Sequence, residues 1–222
     1  MVGKGVALPA LLLFLVAGCA PEQAQQEAET AQQAAAAIDS TPTVVLETTM
    51  GRIVMELDLA KAPKTVTNFL VHVNNGFYDS LIFHRVMPEF MVQAGLLTSG
   101  YERRLSPAAF LENEGGNGLL NVRGAVAMAR GNDPHSAKTE FFINVKDNPQ
   151  LNTTPETWGW AVFGRVIEGM DVVDRIRRVR TRERGTRENV PVDPIVMERV
   201  YVLTAEQEAA RQTAAPGTQP GG

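Results

Sequence analysis

Eight short runs of strand-forming residues fill the middle of this chain, between Thr43 and Leu203, and only two helical patterns interrupt them. The first runs alternate apolar and polar residues, which is the period of a half-buried strand. The runs lie at 44–46, 53–57, 81–86, 90–95, 124–129, 140–145, 160–166 and 195–203. Parallel strands need long, usually helical crossovers between them, so this succession predicts antiparallel pairing.

The two helical patterns are far apart in the sequence. In the first, Pro63 occupies a permitted first-turn position, and Val66, Phe69 and Val73 follow at helical spacing. The second covers 169–179. We therefore expect a mainly β domain, namely a closed eight-stranded antiparallel β-barrel capped by two α-helices.

The N-terminus has the pattern of an export signal. Lys4 precedes an apolar stretch at 6–17, which is shorter than the roughly 20 residues that span a bilayer as a helix. The stretch ends in Leu15-Val16-Ala17-Gly18-Cys19, which resembles a bacterial lipobox and implies cleavage after Gly18 and lipidation of Cys19. The alternative is a plain secretory signal with an incidental cysteine, although Cys19 is the only cysteine in the chain.

Composition divides the rest of the chain into three parts. Residues 19–42 are rich in Ala, Gln and Glu and predict a flexible tether, because they bury too little apolar surface to order themselves. The folded domain follows at 43–203, and 204–222 predict a disordered tail with a helical turn at 205–211. Together with this layout, the resemblance to a lipobox implies a lipid-anchored protein of the bacterial cell envelope. Ala20 and Pro21 lack an acidic inner-membrane retention signal, which favours the periplasmic side of the outer membrane.

Several function classes are unsupported by composition. The formal net charge of −4 gives no whole-chain reason for nucleic-acid binding. A single cysteine excludes an intrachain disulfide framework. The three histidines, His72, His84 and His135, lie far apart without metal-ligand spacing, so we expect neither metal nor cofactor. The length is that of one domain with extensions, which we expect to be monomeric.

The densest group of polar and aromatic residues lies at 83–95. A turn at Pro88-Glu89 would pair two short strands and bring Arg85 toward Gln93. A fixed guanidinium beside an amide and an apolar floor has the composition of a binding site. The alternative is a surface arginine over ordinary core aromatics.

This segment, Phe83-His84-Arg85 continuing to Phe90-Met91, Gln93 and Gly95, resembles the signature motif of cyclophilin-type peptidyl-prolyl isomerases. Three other blocks agree in order and spacing with the same family. They are Asn68-Phe69 with Gly76-Phe77-Tyr78, the segment 123–129, and Phe141-Phe142-Ile143-Asn144 followed by 162–166. The resemblance covers nearly all of 43–203 and is greatest to the bacterial exported branch.

The resemblance implies rotation about X–Pro bonds in proline-containing peptides and unfolded exported proteins. Rotation must overcome an amide barrier of roughly 18–20 kcal/mol and needs no nucleophile, metal or base. The implied catalytic residues are Arg85, which donates to the prolyl nitrogen, and Gln93, which holds Arg85 and contacts the substrate backbone. The implied pocket residues are Phe90, Met91, Phe142 and Leu151. Main-chain groups of Ala129 and Arg130 are implied to contact the residue before proline.

Four cleft positions depart from the commonest family pattern. Glu140 stands where Gln is usual and Arg130 where Asn is frequent, whereas Gln150 and Trp160 replace the Trp and His of many eukaryotic members. We expect Glu140 to pair with Arg130 or Arg85, with exposure to solvent as the alternative. Gln150 implies weak cyclosporin binding. The departures leave open a weakly catalytic or non-catalytic proline-peptide-binding or chaperone module, and a structural envelope lipoprotein.

Two further features are interpreted as structural rather than functional. His84 is interpreted as a satisfied structural histidine, because this reaction needs no base. The arginine-rich stretch at 175–187 is interpreted as a solvated face, although it could instead dock onto anionic lipid headgroups or cell-wall polymer.

Overall fold

The computed structural model describes residues 41–214, so the predicted leader, Cys19 and nearly all of the tether lie outside this range. The strands are β1 (Thr43–Thr48), β2 (Gly51–Leu57), β3 (Arg85–Met87), β4 (Met91–Ala94), β5 (Ala125–Met128), β6 (Phe141–Asn144), β7 (Val162–Glu168), β8 (Thr181–Arg184), β9 (Arg187–Pro191) and β10 (Met197–Val202). The helices are α1 (Pro63–Asn74), α2 (Met170–Ile176) and α3 (Ala205–Ala214), with a 3-10 turn at Pro149–Leu151. The mainly β prediction is confirmed.

Eight of the strands form one antiparallel sheet in the order β10-β1-β2-β7-β5-β6-β4-β3. The two edge strands of the described sheet, β3 and β10, are not joined by a ladder of hydrogen bonds. The described sheet is therefore not the fully closed barrel that the sequence predicts. The segment just before β3 instead bonds to the start of β10, through Phe83 N to Ile195 O at 3.0 Å and Met197 N to Leu81 O at 2.8 Å.

The ends of the domain also meet at this sheet. Strands β1 and β10 pair with Val44 opposite Val202, and Leu203 N donates to Thr43 O at 2.9 Å. The chain therefore enters and leaves the folded domain on two neighbouring strands.

The main core lies between the sheet and α1. Phe69 of α1 is fully buried, with its ring centroid 4.9 Å from Tyr78, 5.4 Å from Phe141 and 5.2 Å from Phe163. Each buried side chain of this size contributes about 1.5–3 kcal/mol, so this aromatic cluster anchors the helix on the sheet. The helix ends before Gly76, whose φ of +64° suits glycine.

A second, smaller apolar cluster lies on the opposite face of β4, β5 and β6. Successive strand residues point to opposite faces, so Phe141 enters the main core whereas Phe142 enters the second cluster. Met91, Ala127 and Leu151 are also buried in the second cluster. The sheet therefore carries an apolar surface outside its main core.

Three elements differ from the sequence prediction. The hairpin of β8 and β9 was not predicted, and α2 ends at Ile176 rather than near 179. The predicted disordered tail begins with the ten-residue helix α3, in which Arg211 Nη1 lies 2.7 Å from Glu168 Oε1. Within residues 41–214, no helix is long and apolar enough to cross a membrane.

Candidate active site

Arg85 and Gln93 face each other across the first hairpin of the site. The turn after Met87 pairs β3 with β4 so that Arg85 lies opposite Gln93, as the sequence predicts. Arg85 Nη1 lies 3.4 Å from Gln93 Oε1, a long hydrogen bond, and the arginine is only half-buried. The guanidinium therefore keeps most of its donors for a ligand.

A carboxylate fixes the orientation of the Gln93 amide. Gln93 Nε2 donates to Glu140 Oε2 at 2.8 Å. An ionised carboxylate only accepts hydrogen bonds, so the amide nitrogen must face Glu140. The amide oxygen is then left facing Arg85.

Glycine at position 95 permits this approach of β6 to β4. Gly95 has φ +95°, and a Cβ there would lie 2.5 Å from Thr139 O and 3.1 Å from Glu140 Cα. Any other residue would push the strands apart at the point where Glu140 reaches Gln93. The glycine of the signature segment therefore serves the geometry of the polar site.

The predicted pairing of Glu140 with Arg130 or Arg85 is wrong. Besides Gln93, Glu140 Oε2 lies 3.2 Å from His84 Nε2, and the side chain is 28% exposed. Burial disfavours its charge, but hydrogen bonds from His84 and Gln93, with the nearby Arg103, outweigh that cost and lower the pKa of Glu140. The alternative of a carboxylate pointing freely into solvent is wrong as well.

Arg130 turns away from Glu140 because main-chain carbonyls hold it elsewhere. Its guanidinium donates to Trp158 O at 2.7 Å, Gly131 O at 3.0 Å and Gly159 O at 3.4 Å. It also lies 4.3 Å from the ring of Trp160, within cation–π range. Arg130 thus braces the Trp160 side of the cleft.

The second apolar cluster forms the floor of a small cavity of about 190 Å³. Its buried floor consists of Met91, Phe142 and Leu151, which are 1%, 4% and 6% exposed. The lining residues are Arg85, Phe90, Met91, Gln93, Ala129, Arg130, Phe142, Leu151 and Trp160. The structure thus brings together every predicted site residue within 41–214 except Glu140, which adjoins Gln93, and Gln150.

Gln150 lies on the 3-10 turn beside the cavity. Its Nε2 donates to Asn148 Oδ1 at 3.3 Å, and the residue is exposed. Gln150 is therefore near the cleft without lining it.

Volume alone does not identify the site. A larger cavity of about 580 Å³ lies beside β7 and contains Arg123 and Arg165. Both of these arginines are already paired, with Asp174 and Glu56 respectively, each at 2.8 Å. The smaller cavity differs because its guanidinium, that of Arg85, pairs with no carboxylate in the described part of the chain and borders an apolar floor.

A network of buried asparagines supports the cavity walls, and the sequence interpretation missed it. Asn121 Nδ2 donates to Leu151 O at 3.1 Å and Trp160 O at 3.3 Å. Asn148 Nδ2 donates to Phe90 O at 2.9 Å, and Asn144 links the other two asparagines. Their only signal in the sequence is polar residues close to apolar runs, because the bonds join segments far apart in the chain.

His84 is buried, but it is satisfied on one side only. Its Nε2 faces Glu140, whereas Nδ1 has no hydrogen-bond partner among residues 41–214. The histidine therefore differs from the fully satisfied residue that the sequence predicted.

The hairpin of β8 and β9, which contains part of the arginine-rich stretch and is called the arginine-rich hairpin below, borders the site. Its tip contributes Thr186, Arg187 and Glu188 to a cavity of about 340 Å³ that also includes His84 and Arg85. Arg184 lies 3.7 Å over the ring of Tyr101, which links the hairpin to the 96–123 loop. The basic stretch is largely exposed, as predicted, but part of it lies beside the catalytic candidate.

Comparison with known families gives a match over residues 43–202 to the model of the cyclophilin type peptidyl-prolyl cis-trans isomerase family. A peptidyl-prolyl cis-trans isomerase of Streptomyces antibioticus is 54% identical over 164 residues, which cover 72% of this chain and 98% of the relative. Peptidyl-prolyl cis-trans isomerase B of Escherichia coli is 44% identical over 162 residues, with the same coverage of 72% and 98%.

Solved structures share the fold. A cyclophilin type peptidyl-prolyl cis-trans isomerase of Cryptosporidium parvum aligns with a TM-score of 0.63 and 24% identity, covering 74% of this chain and 98% of the other. A second structure of that protein, with a TM-score of 0.62, was determined in the presence of the dipeptide Ala-Pro. Within the part of this chain that the structure describes, no cluster of His, Cys, Asp or Glu is arranged to hold a metal ion.

Proposed function

The chain belongs to the cyclophilin-type peptidyl-prolyl cis-trans isomerase family, and from this premise we propose that it assists the folding of exported and envelope proteins while anchored by lipid to a bacterial membrane. Its activity is the cis-trans isomerisation of X–Pro bonds. The observation that carries the site assignment is the Arg85 guanidinium at the edge of the small apolar cavity.

The chemistry requires a twisted amide to be stabilised without bond cleavage. Rotation breaks the resonance that gives the peptide bond its barrier of roughly 18–20 kcal/mol, and the prolyl nitrogen regains a lone pair. A preorganised donor aimed at that nitrogen contributes about 3–4 kcal/mol to the transition state. Arg85 is the donor in this proposal, because among residues 41–214 its guanidinium has no carboxylate partner and only one side-chain hydrogen bond.

Gln93 and Glu140 keep that donor in place. Glu140 fixes which end of the Gln93 amide faces Arg85, so the arginine always meets an acceptor oxygen. Of the two opposing effects a carboxylate could have here, this arrangement favours orientation over neutralisation, since Glu140 acts through the amide rather than on Arg85 directly. Glu140 is thus a positioning residue.

The apolar floor holds the proline ring. The side chains of Met91, Phe142 and Leu151 are apolar and buried, so burial of the apolar proline ring against them is favourable. The Ala-Pro dipeptide used with the Cryptosporidium parvum relative supports a proline-containing ligand. Main-chain groups of Ala129 and Arg130 then contact the residue before proline.

The activity is tested by a protease-coupled assay on a peptide containing Ala-Pro-Phe, in which only the trans isomer is cleaved. Wild-type protein should accelerate the slow phase in proportion to enzyme concentration. A rate equal to the uncatalysed rate, with the peptide still bound, would instead favour the non-catalytic binding module.

Membrane anchoring is tested separately, through Cys19. The lipobox-like sequence before Cys19 and the polar tether after it support a lipid anchor. Two or more acyl chains are needed for stable anchoring, because one chain gives only marginal binding. In cells, Cys19→Ala should leave the protein soluble or uncleaved, whereas Arg85→Ala should fractionate with membranes as wild type does. Unchanged fractionation of Cys19→Ala would refute the anchor.

A further inference from the structure

A second cavity, of about 400 Å³, adjoins the proline pocket. The two cavities share Gln93, Ala129 and Arg130 in their linings. A peptide that places a proline in the smaller cavity and runs across Ala129 and Arg130 would therefore carry a neighbouring side chain into the larger one.

This larger cavity is strongly cationic. Four basic side chains and one carboxylate line it, namely Arg103, Arg104, Arg130, Lys138 and Glu140. The chain as a whole has a formal net charge of −4, so this group of cations does not simply reflect an overall basic chain. The single carboxylate is already engaged by Gln93 and His84.

None of these four cations forms a salt bridge among the described residues, although Arg103 is near enough to Glu140 to help lower the pKa of that carboxyl. Arg130 donates only to main-chain carbonyls, and Lys138 Nζ lies 5.3 Å from the Phe110 ring. Elsewhere in the same domain several arginines are paired, as Arg165 is with Glu56. Among the described residues, cations without a salt bridge also occur elsewhere, for example Arg52 and Arg199, but four of them line this one cavity beside the proline pocket.

Two exposed apolar side chains also line the cavity. Leu105 and Phe110, on the long loop after β4, are 78% and 67% exposed. Both line the cavity together with the cations. A side chain with an aliphatic stem and an anionic end would cover these apolar groups and approach Arg103 and Lys138 at its tip. Glutamate has this chemistry.

We propose that this cavity binds an acidic side chain of the substrate on the N-terminal side of the proline, and that the enzyme prefers Glu-Xaa-Pro sequences. The proposal rests on the isomerase activity and on the contact of Ala129 and Arg130 with the residue before proline. It does not depend on membrane anchoring.

The test compares three peptides, acetyl-Xaa-Ala-Pro-Phe-anilide with Glu, Gln or Lys at Xaa. An acetyl group avoids an additional carboxylate at the N-terminus. At low salt, kcat/KM should be about fivefold higher for Glu than for Gln, and lower for Lys than for Gln, which is the scale of one or two solvent-exposed charge contacts. High salt should reduce the preference, because exposed charges are screened.

A double variant assigns the preference to the cavity. Arg103→Gln with Lys138→Gln should bring the Glu and Gln peptides within twofold of each other while the Gln peptide is still turned over. The matched control is Arg52→Gln with Arg199→Gln, which removes the same net charge from β2 and β10 and should keep the fivefold preference. Circular dichroism checks that both proteins are folded.

Any of four results would overturn the proposal. Equal kcat/KM for all three peptides in the wild type would do so and would leave the isomerase activity intact. A preference that persists in the folded double variant would also do so, because the charge recognition would then lie elsewhere. If no peptide is turned over, equal dissociation constants for the Glu and Gln peptides would still refute acidic recognition. If the double variant does not fold, a salt-independent preference in the wild type would refute it.

Discussion

Removal of the Arg85 guanidinium should separate catalysis from stability. In the structure Arg85 is half-buried and makes one long side-chain hydrogen bond, 3.4 Å to Gln93. A contact of that kind contributes about 0.5 kcal/mol or less to the free energy of unfolding. A donor to the developing lone pair contributes about 3 kcal/mol to the transition state, which corresponds to roughly a hundredfold in rate.

Arg85→Ala should therefore lower kcat/KM about a hundredfold in the protease-coupled assay while leaving the urea midpoint almost unchanged. Arg123→Ala is the matched control. Arg123 donates to Val145 O at 2.6 Å and pairs with Asp174, away from the catalytic cavity. That variant should lose about 1 kcal/mol of stability and stay within twofold of wild-type kcat/KM.

Two results would refute this account of Arg85. A variant within twofold of wild-type kcat/KM would remove the guanidinium from the mechanism. A large loss of rate accompanied by an equally large loss of stability would show that Arg85 supports the fold rather than the twisted amide.

Two more predictions follow from the contacts of the site, and a third from the expectation of weak cyclosporin binding. Because the pKa of Glu140 is lowered, its ionised form stabilises the native state above pH 4.5, the ordinary pKa, and this stabilisation is lost as the pH falls from 4.5 through the lowered pKa. Urea unfolding at a series of pH values should show that the free energy of unfolding falls less steeply with acid for Glu140→Gln than for wild type. Equal slopes for the two proteins would contradict this. Asn121→Ala removes the amide that donates to Leu151 O and Trp160 O. It should lower the free energy of unfolding, measured in urea, by about 2–3 kcal/mol and raise KM. Unchanged stability and KM would show that the asparagine network does not support the cavity walls. Gln150→Trp should strengthen the weak inhibition expected of cyclosporin, measured as an inhibition constant, whereas tight inhibition of the wild type would contradict the expectation.

The features that the sequence predicted best are those set by local periodicity. Each of the eight apolar runs overlaps one of the eight strands of the sheet, although the run at 81–86 overlaps β3 only at Arg85 and Val86, and the helical spacing after Pro63 became α1. Pairing of Arg85 with Gln93 was also predictable, because a turn of a few residues fixes the register of a hairpin.

The predictions that failed concern mainly contacts between segments that are distant in the sequence. The pairing of Glu140 depended on which of several polar side chains the β4–β6 register placed nearest, and that register became visible only in the fold. The arginine-rich hairpin was missed for a different reason: strand β8 is mostly exposed and lacks the apolar alternation that marks a strand. Helix α3 was underestimated because its docking contact, Arg211 with Glu168, crosses a long sequence separation.

The pairing of β1 with β10 has a mechanical consequence. Because Val44 faces Val202 and Leu203 bonds to Thr43, tension applied between the two ends of the domain would pull these strands apart at one end of their ladder. Antiparallel hydrogen bonds lie perpendicular to the strands, so such a load would break them one after another rather than all at once. The domain should therefore unzip at low force when stretched between its ends, whereas a pull on one end alone puts no load across this ladder.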